Sequence, residues 1–281
     1  MIMRRLEFHL SYECAQRCSF CSESGRMARF IDHPVSTREI AAVLATKRRA
    51  CDHVTWTGGE PTAHPAFLGA LRAARGLGYR NYVTSNGGRL SESGFALKAL
   101  PLIDELCLSV HGDRADVHDR LTGAPGSYKR VQAALDRAQA APRIFLLTNT
   151  VISALNDSRA EAILRSLLAR PGVRHCLFSN VAPEGRGQTA YRGLAVPLAR
   201  WRKMIARLSP LASSRGVALR FFGLPLCVFG AHRENSNDLH FSPRVTVERC
   251  EGTAGPELVD IVSEKPTRRR VQPKVCGGCS Q

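Results

Sequence analysis

Cys14, Cys18 and Cys21 stand in the run Glu13-Cys-Ala-Gln-Arg-Cys-Ser-Phe-Cys-Ser22, a CxxxCxxC spacing. Three thiolates that close together can ligate three irons of a [4Fe–4S] cube and leave the fourth iron without a protein ligand, and an iron with an open position is where chemistry can start. Zinc would ask for four ligands, commonly from CxxC pairs, and the nearest spare ligand is His33. A second set, Cys227, Cys250, Cys276 and Cys279, closes with Cys-Gly-Gly-Cys almost at the terminus. Four thiolates saturate a metal, and Gly277-Gly278 permits the tight turn that brings Cys276 and Cys279 to one centre. This set reads as a zinc staple or as an auxiliary [4Fe–4S] cluster, with cysteine-only ligation favouring iron and sulfur.

Other candidates follow short apolar runs. Strands are expected at residues 5–10, 53–57, 79–84, 105–110, 143–151 and 173–181, and helices at 36–49, 65–77, 91–100, 127–140 and 157–169. Six strands alternating with five helices describe a parallel α/β sheet, because each crossover needs a helix to return the chain. Ligand sites in such sheets lie beyond the carboxyl ends of the strands. Those ends carry the Cys14 loop, Thr57-Gly58-Gly59-Glu60-Pro61, Ser85-Asn86-Gly87-Gly88, Ser109-Val110-His111-Gly112 and Pro183-Glu184-Gly185-Arg186-Gly187. Gly58-Gly59 would let the backbone approach a ligand closely, and Glu60 would offer an acceptor to an ammonium. Asn86 and Ser109 are small hydrogen-bonding groups, Phe20 an aromatic for a base or for the core, and His111 a candidate substrate contact. Glu184 and Arg186 end the sixth run, where an arginine could anchor a carboxylate or phosphate.

Beyond about residue 187 the rhythm changes to one helix (198–208), one strand (217–222) and a turn-rich stretch with short strands at 240–241 and 245–248. We therefore divide the chain into a catalytic unit, 1–187, and a linker helix with a small cysteine-rich unit, 188–281. The second is too poor in apolar periodicity to build a large core alone and is expected to be tied together by its metal. Cys51, Cys107 and Cys176 sit in or beside apolar runs and read as buried structural thiols.

The 281 residues are 44% hydrophobic and 23% charged, which excludes a disordered, collagen-like or coiled-coil chain. No apolar run is long enough to span a membrane and no apolar core of a secretion signal appears, so a cytoplasmic protein is expected. Ten cysteines then point to metal rather than to disulfides. Forty Lys and Arg against 24 Asp and Glu give a formal charge of +16, which favours an anionic partner. The arginines are scattered along helix faces rather than concentrated as a nucleic-acid footprint.

The motifs in their order resemble the radical S-adenosylmethionine (SAM) superfamily over residues 5 to about 187. CxxxCxxC with Phe20 before its third cysteine, Gly58-Gly59-Glu60-Pro61 and Ser85-Asn86-Gly87 match its motifs after the first three strands. Leu108-Ser109-Val110-His111-Gly112, His118-Asp119 and Leu121-Thr122-Gly123 are similar to a stretch of its molybdenum-cofactor and peptide-modifying branches. The resemblance implies an α/β fold, a partial (β/α)6 TIM-like barrel with a cysteine-rich C-terminal extension. At its open end Cys14, Cys18 and Cys21 would hold the cluster, and Phe20, Gly58, Gly59, Glu60, Asn86 and Ser109 would bind SAM. One electron from the reduced cluster would cleave SAM to a 5′-deoxyadenosyl radical that abstracts a substrate hydrogen. Some peptide-modifying members place an arginine for the SAM carboxylate where this chain has Thr122, with Arg120 close by.

The tail resembles the shortened auxiliary-cluster domains called twitch domains. Its cluster would bind substrate, relay an electron or donate sulfur for insertion. The implied partners are an anionic small-molecule substrate, nucleotide or sugar-like, and an electron donor such as flavodoxin or ferredoxin. No leader-recognition extension precedes Arg5, which disfavours maturation of a ribosomal peptide. That alternative and a non-enzymatic iron–sulfur or zinc-stapled binding protein are the competing readings.

Overall fold

The computed structural model describes residues 5–264; Cys276 and Cys279 lie outside the described residues. Six parallel strands form as the apolar runs predict: β1 (Arg5–Ser11), β2 (His53–Gly58), β3 (Arg80–Ser85), β4 (Glu105–Ser109), β5 (Phe145–Ile152) and β6 (Val173–Asn180). They pair in sequence order, each with the next, as right-handed βα crossovers require. The crossover helices include Thr37–Lys47, Phe67–Gly76, Ser127–Gln139 and Ala160–Leu168.

Residues pointing out of the barrel are large and apolar, since helices cover that side. Leu6, Phe8 and Leu10 of β1 and Val54 and Trp56 of β2 are fully buried in the main core. The Trp56 indole keeps its hydrogen bond by donating to Asn81 Oδ1 at 2.9 Å. Inward-pointing positions are polar, and they make the wall of the site.

The sheet does not stop at six strands. β7 (Ala218–Phe222) adds parallel to β6, and β8 (Arg244–Gly252) adds parallel to β1 on the opposite edge. β9 (Gly255–Ser263) returns antiparallel to β8. The full order is β7-β6-β5-β4-β3-β2-β1-β8-β9. The described part of the tail is thus not held together by metal alone: Phe221, Phe229, Val245 and Val247 bury themselves in the same core as the barrel. The expected strand at 245–248 extends over nine residues, and residues 240–241 close a short 3₁₀ turn instead of forming a strand.

Four α-helices of the described residues were not foreseen, two of them the short turns Arg186–Thr189 and Tyr191–Leu194 after β6. Ser24–Phe30 follows the cysteine loop directly, and Ala115–Thr122 follows β4. Within the latter, Asp119 accepts from Gly126 N (2.6 Å), Tyr128 N (2.7 Å) and Ser127 Oγ (2.9 Å), so it caps the helix Ser127–Gln139.

Candidate active site

Every loop singled out from the sequence leaves the same end of the sheet, and most of them face a cavity of about 440 Å³. Cys14, Cys18, Phe20, Cys21, Gly58, Gly59, Glu60, Asn86, Ser109 and His111 all line it. A larger cavity, about 690 Å³, lies among helix ends near Arg75, Leu97 and Ile103, at the opposite end of the strands. None of the strand-end groups reaches it, so the chemistry belongs to the smaller one.

The cysteine loop is built by the strand ends around it. Gly59 N donates to Ser11 O (2.6 Å) and Glu60 N to Glu13 O (2.7 Å). A Cβ on Gly59 would stand 2.5 Å from Glu13 O, and Gly58, with φ +111°, would collide with Ser11 O. The glycine pair therefore permits close approach of the cysteine loop itself, where the sequence suggested approach of a ligand.

Glu60 is fully buried and accepts four hydrogen bonds. Thr62 N (3.2 Å), Thr62 Oγ1 (2.5 Å) and Ser85 Oγ (2.8 Å) reach Oε1, and Asn86 N (2.7 Å) reaches Oε2. It pins the loops after β2 and β3 together. Burial raises its pKa, and these donors oppose the rise.

Asn86 is turned to the metal side: its Nδ2 donates to Cys14 Sγ at 3.6 Å while Oδ1 accepts from Gly88 N. Asn86 also lines the cavity. Ser109, opposite Asn149 in the β4–β5 register, faces the cavity beside it. Phe20 is buried. It lines the cavity and packs edge-on against His111, with ring centres 4.8 Å apart.

Burial, then the neighbouring histidine charge at His118, hold the His111 pKa well below the ordinary histidine range. Its Nδ1 accepts from Val151 N at 3.2 Å, which puts the ring proton on Nε2. Behind it, His118 Nδ1 accepts from His111 N at 3.1 Å.

Two substrate candidates move. Glu184 is exposed and lines a neighbouring compartment, and Arg186 folds back against the cysteine loop. Arg120 donates to Leu155 O and Thr122 is buried against Ser127, so neither is among the cavity's lining groups.

The three thiols are half-buried, free and mutually close enough for Cys21 and then Cys14 to add to burial in pushing Cys18 up to about 12. Because a metal takes the thiolate form, metal uptake at this loop must release protons. A cube takes each thiolate on a different iron. His33, the spare zinc ligand, is not among the groups lining the cysteine cavity. Donor type, spacing and the Asn86 contact fit a cube.

Residues 9–167 match the model of the Radical SAM superfamily. The chain belongs to the radical SAM superfamily. It is 28% identical over 191 residues to a protein of Thermococcus kodakarensis named "Probable GTP 3′,8-cyclase", over 66% of this chain and 60% of that one. A protein of the same name from Saccharolobus solfataricus is 26% identical over 189 residues, with the same shares. The match thus spans about 60% of the length of these relatives. Among solved structures, Streptococcus suis SuiB bound to S-adenosylmethionine superposes with TM-score 0.67 at 16% identity, covering 88% of this chain and 58% of that one. That likeness is one of fold. As a radical SAM enzyme, the chain takes a [4Fe–4S] cluster and SAM as its cofactors.

Sequence reasoning missed a side compartment of about 390 Å³. It adjoins the first, since Phe222, Asn237 and Arg244 line both. Its floor is a charge network. His9 Nδ1 lies 3.2 Å from Glu23, and its Nε2 lies 3.7 Å from Glu248 and 3.8 Å from Glu7. Arg26 bridges Glu23 (3.1 Å) and Glu248 (2.9 Å), and Arg244 pairs with Glu7 at 3.0 Å. These charges sit on β1, β8 and the helix after the cysteine loop, and only the assembled sheet brings them together.

Burial disfavours the His9 cation, but the carboxylates of Glu23 and Glu7 beside it outweigh that and lift His9 to about 9. Burial likewise disfavours the Glu7 anion, but His9 and Arg244 bring it to about 2. A raised histidine stabilises the fold fully below its ordinary range, and that stabilisation fades as pH rises through the folded value. The melting temperature is expected to fall between about pH 6.5 and 9, and to fall less in His9→Gln. Parallel pH profiles for the two proteins would contradict a charged His9.

Proposed function

We propose that the chain cleaves SAM reductively and abstracts a hydrogen from a small, anionic, nucleotide- or sugar-like substrate. The observation that carries this reading is the convergence of the Cys14, Cys18 and Cys21 thiols on one cavity whose remaining wall is glycine backbone and hydrogen-bonding side chains. When bound, the reduced [4Fe–4S] cluster and SAM supply one-electron cleavage of the sulfonium and a carbon radical able to take hydrogen.

The chain supplies position. Cys14, Cys18 and Cys21 are the ligands, and Asn86 Nδ2 shares a hydrogen bond with the first of them. Glu60 Oε2 accepts only one protein bond and keeps lone-pair capacity for the methionine ammonium. Ser109, Asn149 and the Nε2 proton of neutral His111 offer polar contacts to the rest of SAM or to substrate. Phe20 closes one side against water.

Substrate would enter through the side compartment. Arg244, at the junction of the two cavities, has its Nε buried without a partner and its guanidinium 5.0 Å from the Phe241 ring. It is the group best placed to take a substrate phosphate or carboxylate. The relatives named for a GTP cyclisation support a nucleotide-like substrate. The electron would come from a small donor protein such as flavodoxin or ferredoxin.

An auxiliary cluster at Cys227, Cys250, Cys276 and Cys279, with sulfur insertion as one use of it, belongs to the same proposal. Cys227 follows the carboxyl end of β7 and Cys250 sits near that of β8. Phe222 of β7 and Arg244, Thr246 and Glu248 of β8 line the side compartment, so a centre held by Cys227 and Cys250 would stand beside it, on the substrate's path.

Anaerobic incubation of reconstituted protein with SAM and dithionite tests the reading through release of 5′-deoxyadenosine. Cys250→Ala is expected to retain part of that release, because Cys250 lies on β8 and does not line the cysteine cavity. No 5′-deoxyadenosine from cluster-loaded wild type would contradict the proposed reaction. Product lacking sulfur, with the auxiliary iron intact after turnover, would remove sulfur insertion.

A further inference from the structure

Arg186 lies 165 or more residues along the chain from the three cysteine ligands, and the fold brings it beneath their loop. Its Nε donates to Cys18 O at 2.9 Å. Its backbone N donates to Cys21 O at 3.0 Å and to Ser24 Oγ at 2.8 Å. Glycines on either side make the contact tight. A Cβ on Gly185, with φ +53°, would stand 2.5 Å from Cys21 O, and one on Gly187 would meet Ala182 O and crowd Phe20 O.

The guanidinium is half-buried and its Nη2 has no hydrogen-bond partner. Buried donors are nearly always matched, so an unmatched one on an arginine is a donor left for a group that the polypeptide does not provide. No carboxylate forms an ion pair with it among the described residues.

We propose that Arg186 is a positioning residue for the cluster: it clamps the loop between Cys18 and Cys21, and its positive charge favours the reduced cluster. The inference rests on the cluster reading above. A cation beside a redox centre in a partly desolvated setting stabilises the state with the extra electron, because the attraction is weakly screened there. This differs from the substrate anchor suggested by its place after β6, since Arg186 is not among the groups lining either compartment.

Redox titration of the reconstituted holoenzyme, followed by EPR, compares wild type with Arg186→Gln and Arg186→Lys. Arg186→Gln is expected to shift the midpoint potential of the Cys14/Cys18/Cys21 cluster to more negative values, or to take up less iron. Arg186→Lys keeps the charge and should load iron and titrate close to wild type. A glutamine variant with full iron and the wild-type midpoint overturns the proposal. So does a lysine variant that fails to load or shifts as far as glutamine. A wild type without a reducible cube would count against the cluster reading itself, which these comparisons between variants do not touch.

Discussion

Cys18→Ala should release no 5′-deoxyadenosine under conditions where the wild type does, while folding normally. The thiol makes one weak contact, to Gln16 Oε1 at 3.6 Å, so its loss leaves the core intact. A cube held by two thiolates loses a ligand, and among the described residues no fourth cysteine lines the cavity to replace it. Cys51→Ala is the matched control. That thiol is buried at the far end of the barrel, where burial pushes it up to about 11, and its loss should leave SAM cleavage unchanged. Circular dichroism and iron content separate loss of cluster from loss of fold. Full cleavage by Cys18→Ala would refute the ligand assignment.

Glu60→Ala should have the largest effect on stability. Removing the carboxylate orphans Thr62 N, Asn86 N and two hydroxyls in a site 4% exposed to water. At roughly 1–3 kcal/mol per stranded buried donor, the cost is about 3 kcal/mol or more, a drop of several degrees in melting temperature. Glu60→Gln keeps the shape and part of the bonding but loses the anion. It should melt nearer to wild type yet bind SAM about 10- to 100-fold more weakly, the worth of a charge-assisted hydrogen bond. An alanine variant that melts with the wild type would show that the four bonds do not carry the loops. Unaltered SAM affinity in Glu60→Gln would remove the carboxylate from the SAM site.

The parallel sheet was legible because its inner and outer faces obey simple burial. Val54 and Trp56, alternating with Thr55 and Thr57, announce a strand with one apolar face, and Ser36 with Glu39 forms the capping box that starts the helix before it. The extension of the sheet by β8 was only half legible. Its apolar positions are Val245 and Val247, and the following Glu248 and Arg249 look like surface charges. Both are buried because their partners come from the other end of the chain. Arg249 reaches His33 O, Pro34 O and both Glu39 oxygens, and Glu248 meets His9 and Arg26.

The same distance hid the roles of single residues in the site. Gly58 and Gly59 signalled close approach, but which backbone approaches depends on how β1 and β2 end side by side. Arg186 signalled an anion, and its partner proved to be a carbonyl of the cysteine loop. Spacing along the chain reported the Cys14 loop, where all three ligands are local. It could not report Arg244 or His9, whose significance exists only once β8 lies on β1.

Mössbauer spectroscopy of iron-57-reconstituted protein, recorded anaerobically with and without SAM, tests the central claim most directly. One of the four irons of the Cys14/Cys18/Cys21 cube should be distinct and should change its parameters when SAM is added. Four equivalent irons indifferent to SAM, or zinc in place of iron at these cysteines, would contradict it.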